Sequence, residues 1–244
     1  VLLLAIDTST PAVTAGLVEL DPRSAPRLLA EQIVVDPRAH GELLTPLISS
    51  AVQTAGRTLA DLDVIACGVG PGPFTGLRVG MVTAAALGDA LDRPVYPVCS
   101  LDAVRAACVA EPATQAESGS GSAADAHSVG SLLVVSDARR RELYWARYDA
   151  DGVRTHGPEV AAPDALAERL PDLDVAALAG PQASQAAERF ALPVHATTGP
   201  TPLGLALVAA EAALAQRSPE PLVPLYLRRP DAVAPGAPKR VSPR

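Results

Sequence analysis

The sequence predicts an α/β protein of two lobes, each a mixed sheet flanked by helices. Three observations carry this. Residues 1–110 read β-β-β-α-β-α-β-α, a strand meander followed by βα units. Residues 111–130 (EPATQAESGSGSAADAHSVG) are small, polar and rich in Gly and Ser, as a flexible connection is. Strand and helix patterns then resume over 131–200, a second and smaller lobe, and a Pro-rich tail fills 219–244. At 48% hydrophobic, the 244 residues have ample material for a core.

Residues 1–7 form an unbroken apolar run closed by Asp7, the pattern of a strand buried on both faces. The turn Thr8-Ser9-Thr10-Pro11 leads to alternating residues from Val13 to Leu20, and Asp21-Pro22-Arg23-Ser24 leads to Leu28–Val35. A helix from about Ala39 to Ala55 aligns Leu43, Leu44, Leu47, Ile48, Ala51 and Val52 on one side, and Gly56 ends it. Val64–Val69 is a buried strand, and beyond the loop Gly70-Pro71-Gly72-Pro73 a helix runs to about Leu91. Val95–Val98 is a short strand and Leu101–Val109 a short helix. In the second lobe, strands are expected at Leu132–Ser136, Leu143–Tyr148 and Val175–Ala179, and helices at Asp164–Leu170 and Ser184–Phe190. The Ala/Leu-rich helix Leu203–Gln216 is expected to pack back on the first sheet.

Composition narrows the function. A net charge of −7 argues against a free-standing nucleic-acid binder, and 3% aromatic content against base-stacking platforms. Arg outnumbers Lys nineteen to one, with Lys239 in the tail, which removes Schiff-base and P-loop lysine chemistry. Cys67, Cys99 and Cys108 form no CxxC pair, and His40, His127, His156 and His195 fall in no metal-binding spacing. No stretch reaches 18 apolar residues, and the N-terminal run lacks a basic flank, so a soluble, cytoplasmic protein is expected, without a membrane partner.

Four features bear chemistry. The loop at Gly70 and Gly72, between a buried strand and a helix N-terminus, either cradles an anion or is a structural turn. Asp7, with Thr8 and Ser9 at a strand end, is the best carboxylate for catalysis or metal binding, and equally a turn former. Gly76, Gly80, Ala84 and Gly88 recur every fourth residue, a ridge without side chains that another backbone must approach, from this chain or from a partner. Arg139, Arg140 and Arg141 mark a turn that is either solvated or basic for a purpose.

The segments LLLAIDTST, ACGVGPGPFTGLRVG, VYPVCSLDAV, VVSDARRRELYWARYDADG and PLYLRRPD together resemble the TsaB (YeaZ) family, from Val1 to about Asp231. The resemblance implies an actin/Hsp70-like (ASKHA) fold of two ribonuclease-H-like lobes. It implies a place in the bacterial machinery that forms N6-threonylcarbamoyladenosine at position 37 of tRNAs reading codons that begin with A. There the family is the scaffold for its catalytic paralogue TsaD, with the ATPase TsaE joining them. Ser100 and Val104 stand where TsaD carries two metal-binding histidines, so neither catalysis nor a cofactor is expected. Carried over by position, the interface with TsaD, or with a second copy, takes Leu43, Leu44, Leu47, Ile48, Phe74, Gly76, Gly80, Met81 and Ala84. On that view Gly80→Leu abolishes pairing and leaves a folded monomer. Asp7, Thr8, Ser9, Gly70 and Gly72 would be a vestigial phosphate loop, and Arg139–Arg141 would meet tRNA only within the complex. The rival readings are an autonomous ASKHA ATPase or sugar kinase using Asp7 and the glycine loop, and a metallopeptidase.

Overall fold

A computed structural model describes residues 1–110 and 130–228; all but the last residue of the loop expected at 111–130, and the tail beyond 228, lie outside the described residues. The first sheet holds β1 (Leu2–Asp7), β2 (Ala12–Asp21), β3 (Ser24–Val35), β4 (Val64–Gly68) and β5 (Val95–Val98) in the order β3-β2-β1-β4-β5. The meander pairs antiparallel, whereas β4 and β5 add in parallel. Between them run α1 (His40–Thr54) and α2 (Phe74–Leu91), and α3 (Ser100–Ala110) follows. The second sheet, in the order β8-β7-β6-β9, holds β6 (Leu132–Asp137), β7 (Leu143–Tyr148), β8 (Arg154–Ala161) and β9 (Ala177–Ala179). Helices α4 (Pro163–Leu173) and α5 (Ala183–Phe190) cover one of its faces, and α6 (Pro202–Leu214) returns to the first sheet.

Strand alternation decides which helix each residue meets. In β1, Leu2, Leu4 and Ile6 face α1 and α2, while Leu3 and Ala5 face α6, so every residue of this strand is buried. Thr201 caps α6 by accepting the Gly204 N–H at 3.0 Å, with Pro202 in the first helical turn. Helix α3 is wedged between the two sheets: Ala103 packs in the first lobe's core beside α6, whereas Leu101, Val104 and Cys108 pack against Leu132, Val134 and Tyr148 of the second lobe.

Two features are not evident from the sequence. Strand β8 escapes it because Gly157-Pro158 interrupts the alternation and reads as a turn. Among the described residues it is an edge strand, paired only with β7, and register shifts around Arg147 absorb the irregularity. The described part of the Pro-rich tail is a strap joining the lobes. Leu222 and Leu225 pack on the first core, the Leu225 N–H donates to the Val69 carbonyl at 2.9 Å, and Arg228 pairs with Glu142 of the second lobe.

Two helical glycines should respond oppositely to alanine. A Cβ at Gly204 would lie 2.2 Å from the Ala103 carbonyl oxygen, whereas one at Gly41 meets nothing within 4 Å. Urea unfolding should show Gly41→Ala raising stability by about 0.5–1 kcal/mol and Gly204→Ala lowering it by about 1–3 kcal/mol. Equal effects would contradict the close crossing of α3 and α6.

Candidate functional site

Asp7 ends β1 with no solvent exposure. Its Oδ1 accepts the Ser9 N–H and the Ser9 hydroxyl, both at 2.7 Å, and its Oδ2 accepts the Ser100 hydroxyl at 2.5 Å. Ser100 Oγ in turn accepts the Gly70 N–H at 3.2 Å, tying the head of α3 to the glycine loop. Burial raises the Asp7 pKa above the ordinary aspartate range, outweighing the Ser100 and Ser9 hydrogen bonds and the His40 field, which favour the carboxylate. The same burial, with Asp7 nearby, pushes the Cys67 thiol up. The space around Asp7 is filled: a Cβ at Gly68 would stand 1.8 Å from Oδ2.

Thr8 points the other way, into α2. Its hydroxyl donates to the Gly76 carbonyl at 2.7 Å and accepts the Gly80 N–H at 3.0 Å, bridging two groups one helical rung apart. That contact explains the glycines. A Cβ at Gly76 would lie 2.6 Å from the Thr8 carbonyl oxygen, and one at Gly80 would lie 2.4 Å from Thr8 Oγ1. At the far end, a Cβ at Gly88 would meet Val95 at 2.5 Å.

The bare ridge therefore closes on the chain's own first sheet, one of the two neighbours that the sequence left open for it. Leu44, Leu47, Ile48, Met81 and Ala84 belong to the first lobe's core, Gly76 and Gly80 are buried, and Leu43 is half-buried against the same core. The buried side chains among them leave little area for a partner to cover. Of the nine residues, Phe74 alone is exposed, at 46%, between the Arg78 guanidinium and the Tyr226 ring. Gly80→Leu would drive a side chain into Thr8.

The suspected phosphate loop is likewise turned inward. A Cβ at Gly72 would sit 2.2 Å from the Ser9 carbonyl oxygen, so the close approach that glycine permits is to the turn after β1. Asp7, Ser9, Gly70 and Ser100 form one buried hydrogen-bonded cluster with Gly72 against Ser9, and Thr8 lines a neighbouring cavity of about 290 Å³ with Thr10, His40 and Arg139. His40 Nε2 donates to the Thr10 carbonyl at 2.8 Å. Arg139, Arg140 and Arg141 all adopt positive φ, in a turn closed by the Ala138 N–H on the Glu142 carbonyl at 3.0 Å; Arg139 pairs with Asp137 at 3.4 Å. The residues do not fit a metal. Both Asp7 oxygens are spent, Ser100 is bound to Asp7, and Val104 packs in the apolar layer between the lobes. Among the described residues, no group of three His, Cys, Asp or Glu side chains converges. Nor, among them, is any helix long and apolar enough to cross a membrane.

The sequence singles out Asp7 and, separately, Ser100, but the contact between them joins positions 93 residues apart and has no local signal. Thr8 falls with the phosphate loop when read from the sequence, although its hydroxyl serves α2.

A family model described as "TsaD: tRNA N6-adenosine threonylcarbamoyltransferase" matches residues 29–215. An uncharacterized protein of Mycobacterium tuberculosis is 48% identical over 230 residues, 94% of this chain and 92% of that protein. The tRNA threonylcarbamoyladenosine biosynthesis protein TsaB of Escherichia coli is 31% identical over 176 residues, 70% of this chain and 67% of that protein. Among solved structures, YeaZ from Pseudomonas aeruginosa matches with a TM-score of 0.68 and 26% identity, over 93% of this chain and 99% of that one. A Pseudomonas aeruginosa protein described as similar to peptidase YEAZ matches with a TM-score of 0.71 and 27% identity, over the same shares. The two lobes are those of the ASKHA-like fold.

Because the folded Asp7 holds its proton more tightly than the ordinary aspartate with its pKa of about 3.9, its share of stability is full below that pH and is lost as pH rises through the folded value. Asp7→Asn removes the ionisation. Thermal unfolding from about pH 4 to 7 should show the variant gaining on the parent as pH rises; a pH-independent gap would exclude the raised pKa.

Proposed function

The chain belongs to the TsaB (YeaZ) family, and from that membership we propose that it is a non-catalytic scaffold in the formation of N6-threonylcarbamoyladenosine at tRNA position 37. TsaD supplies the chemistry, TsaE joins the pair, and a homodimer is the alternative partner state. The observation that carries this reading is the filled cleft. The one buried carboxylate at the strand end is consumed by Ser9 and Ser100, and the glycine loop lies on its own turn. A nucleotide or metal would have to displace these contacts. An autonomous kinase or ATPase needs the same carboxylate free to hold its metal and phosphates.

The surface we assign to pairing is the outward side of α2. Phe74, Arg78, Val82, Ala85 and Ala86 lie there, with Val82 exposed at 66%. The middle of this face, Val82, Ala85 and Ala86, is apolar and small-sided, and the outer side of the adjacent α1 is polar, with Glu42, Thr45, Ser49 and Gln53. A second helix can approach such a strip closely, and its centre carries the apolar area that a stable interface buries. The inward ridge makes this possible indirectly: with Thr8 seated between Gly76 and Gly80, α2 lies tight on the sheet.

The basic turn is the part of this chain assigned to tRNA. Arg139, Arg140 and Arg141 project from a two-stranded corner of the second lobe, and only an assembled complex offsets the chain's net charge of −7 enough for them to hold a phosphate backbone.

Two experiments test these assignments. Val82→Glu should leave the thermal unfolding curve unchanged yet prevent co-elution with TsaD, weakening pairing by more than about tenfold; undiminished co-elution would remove α2 from the interface. Reversing the three arginines to glutamate should weaken tRNA binding by the assembled complex and lower its salt slope, by up to about 0.9 for each phosphate no longer neutralised. An unaltered slope would return the turn to a purely solvated role.

A further inference from the structure

An open cavity of about 620 Å³ lies between the lobes, lined by residues of α3, α6, the β2–β3 hairpin and the second sheet. Its walls are apolar: Pro26 of the β2–β3 hairpin, Val109 of α3, and Leu203, Leu207 and Val208 of α6. Val109 and Val208 are exposed there, at 52% and 38%. At the polar end stand Asp102, Tyr148, Arg154 and Arg105. Asp102 is fully engaged: it accepts the Tyr148 hydroxyl at 2.7 Å and two bonds from Arg154 Nη1 at 2.8 and 3.0 Å.

Arg105 is different. It is only 4% exposed, yet its Nε and Nη1 have no hydrogen-bond partner, and Nη2 alone is bonded, to the Ala150 carbonyl at 3.1 Å. No carboxylate pairs with it among the described residues, and Asp149 acts on it only through space. The guanidinium rests on the turn at Gly152, where a Cβ would lie 3.6 Å from Cζ. Burying a guanidinium with most of its donors unused is costly, and native proteins keep few such groups without a use. An anion would meet these donors. The lining carries Arg105 and Arg154 against Asp102 and Asp151, which balance, so a head of single charge suits it better than a dianion.

We propose that this cavity is a binding site for an acyl carboxylate, an apolar chain ending in one carboxylate group. The carboxylate would take charge-assisted bonds from Arg105, after the guanidinium swings off its single anchor at Ala150, and the chain would lie along α6 between Leu203, Leu207 and Val208. The volume falls within the range of small-molecule sites, about 300–1,000 Å³. A site here would bear on how the lobes are set, because its walls come from the first sheet's hairpin, from α3 and α6, and from the second sheet's turn at 149–153. Nothing in it overlaps the Asp7 cluster or the outward face of α2, so it stands or falls apart from the scaffold role.

Isothermal titration of the full chain with decanoate tests the proposal. Saturable one-to-one binding is expected, with decanol at least tenfold weaker, because the alcohol lacks the charge. Arg105→Gln should weaken decanoate at least tenfold and leave decanol unchanged. Leu207→Trp, which fills the apolar end and keeps the arginine, should weaken both. Absence of saturable heat with folded protein, or equal affinity for decanoate and decanol, overturns the assignment. The comparison of the two probes on the unaltered chain decides the matter even if the Arg105 variant does not fold.

Discussion

The turn after β1 is the constraint on which the first lobe is built. Asp7 is taken out of water completely and held by three donors on Ser9 and Ser100. A buried carboxylate is tolerated only with such satisfaction, and once formed the arrangement leaves no slack. Around it the backbone of three other segments must come within van der Waals contact. Gly68 lies beneath the carboxylate, Gly72 on Ser9, and Gly76 and Gly80 on Thr8. Glycine at these positions is a steric requirement of one polar turn.

The same turn sets the relation between the lobes. Ser100, the first residue of α3, is the group that closes on Asp7 and receives the Gly70 amide. From that anchor α3 runs between the two sheets, giving Ala103 to one core and Leu101, Val104 and Cys108 to the other. Where the resemblance places the catalytic paralogue's metal-binding histidines, this chain thus has a hydroxyl tied to the strand end and an apolar side chain in the interlobe layer. The strap over residues 222–228 adds a further link, from Val69 and Phe74 to Glu142.

The two sides of helix α2 differ in what they meet. Its inward side, nearly bare, gives up packing volume so that the sheet and the Thr8 hydroxyl can reach the helix backbone. Its outward side keeps small and apolar residues that the monomer leaves uncovered. Glycine within a helix costs about 0.8–1 kcal/mol relative to alanine, and the hydroxyl bridge with close sheet packing offsets it. The basic turn at Arg139–Arg141, with three residues in the left-handed region, is another place where a local cost is carried.

The strands of the first lobe, the helix periods, the ending of α1 at Gly56 and the importance of the segment from Gly70 to Gly80 are legible in the sequence, because alternation, the 3.6-residue period and glycine spacing are local signals. Strand β8 is not, since Gly157-Pro158 masks its alternation and its pairing with β7 is a tertiary fact. The family motifs can be read directly from residue identities. The direction in which the small-residue ridge faces cannot, because a stripe on a helix says that something approaches closely but not whether that neighbour is Thr8 or another molecule. Nor can the destination of Asp7, whose partner Ser100 lies 93 residues away, or the isolation of Arg105. The sequence by itself determined the period of each element and where bare backbone is required; the tertiary structure decided which surfaces those elements consume, since only in three dimensions do distant segments compete for the same face.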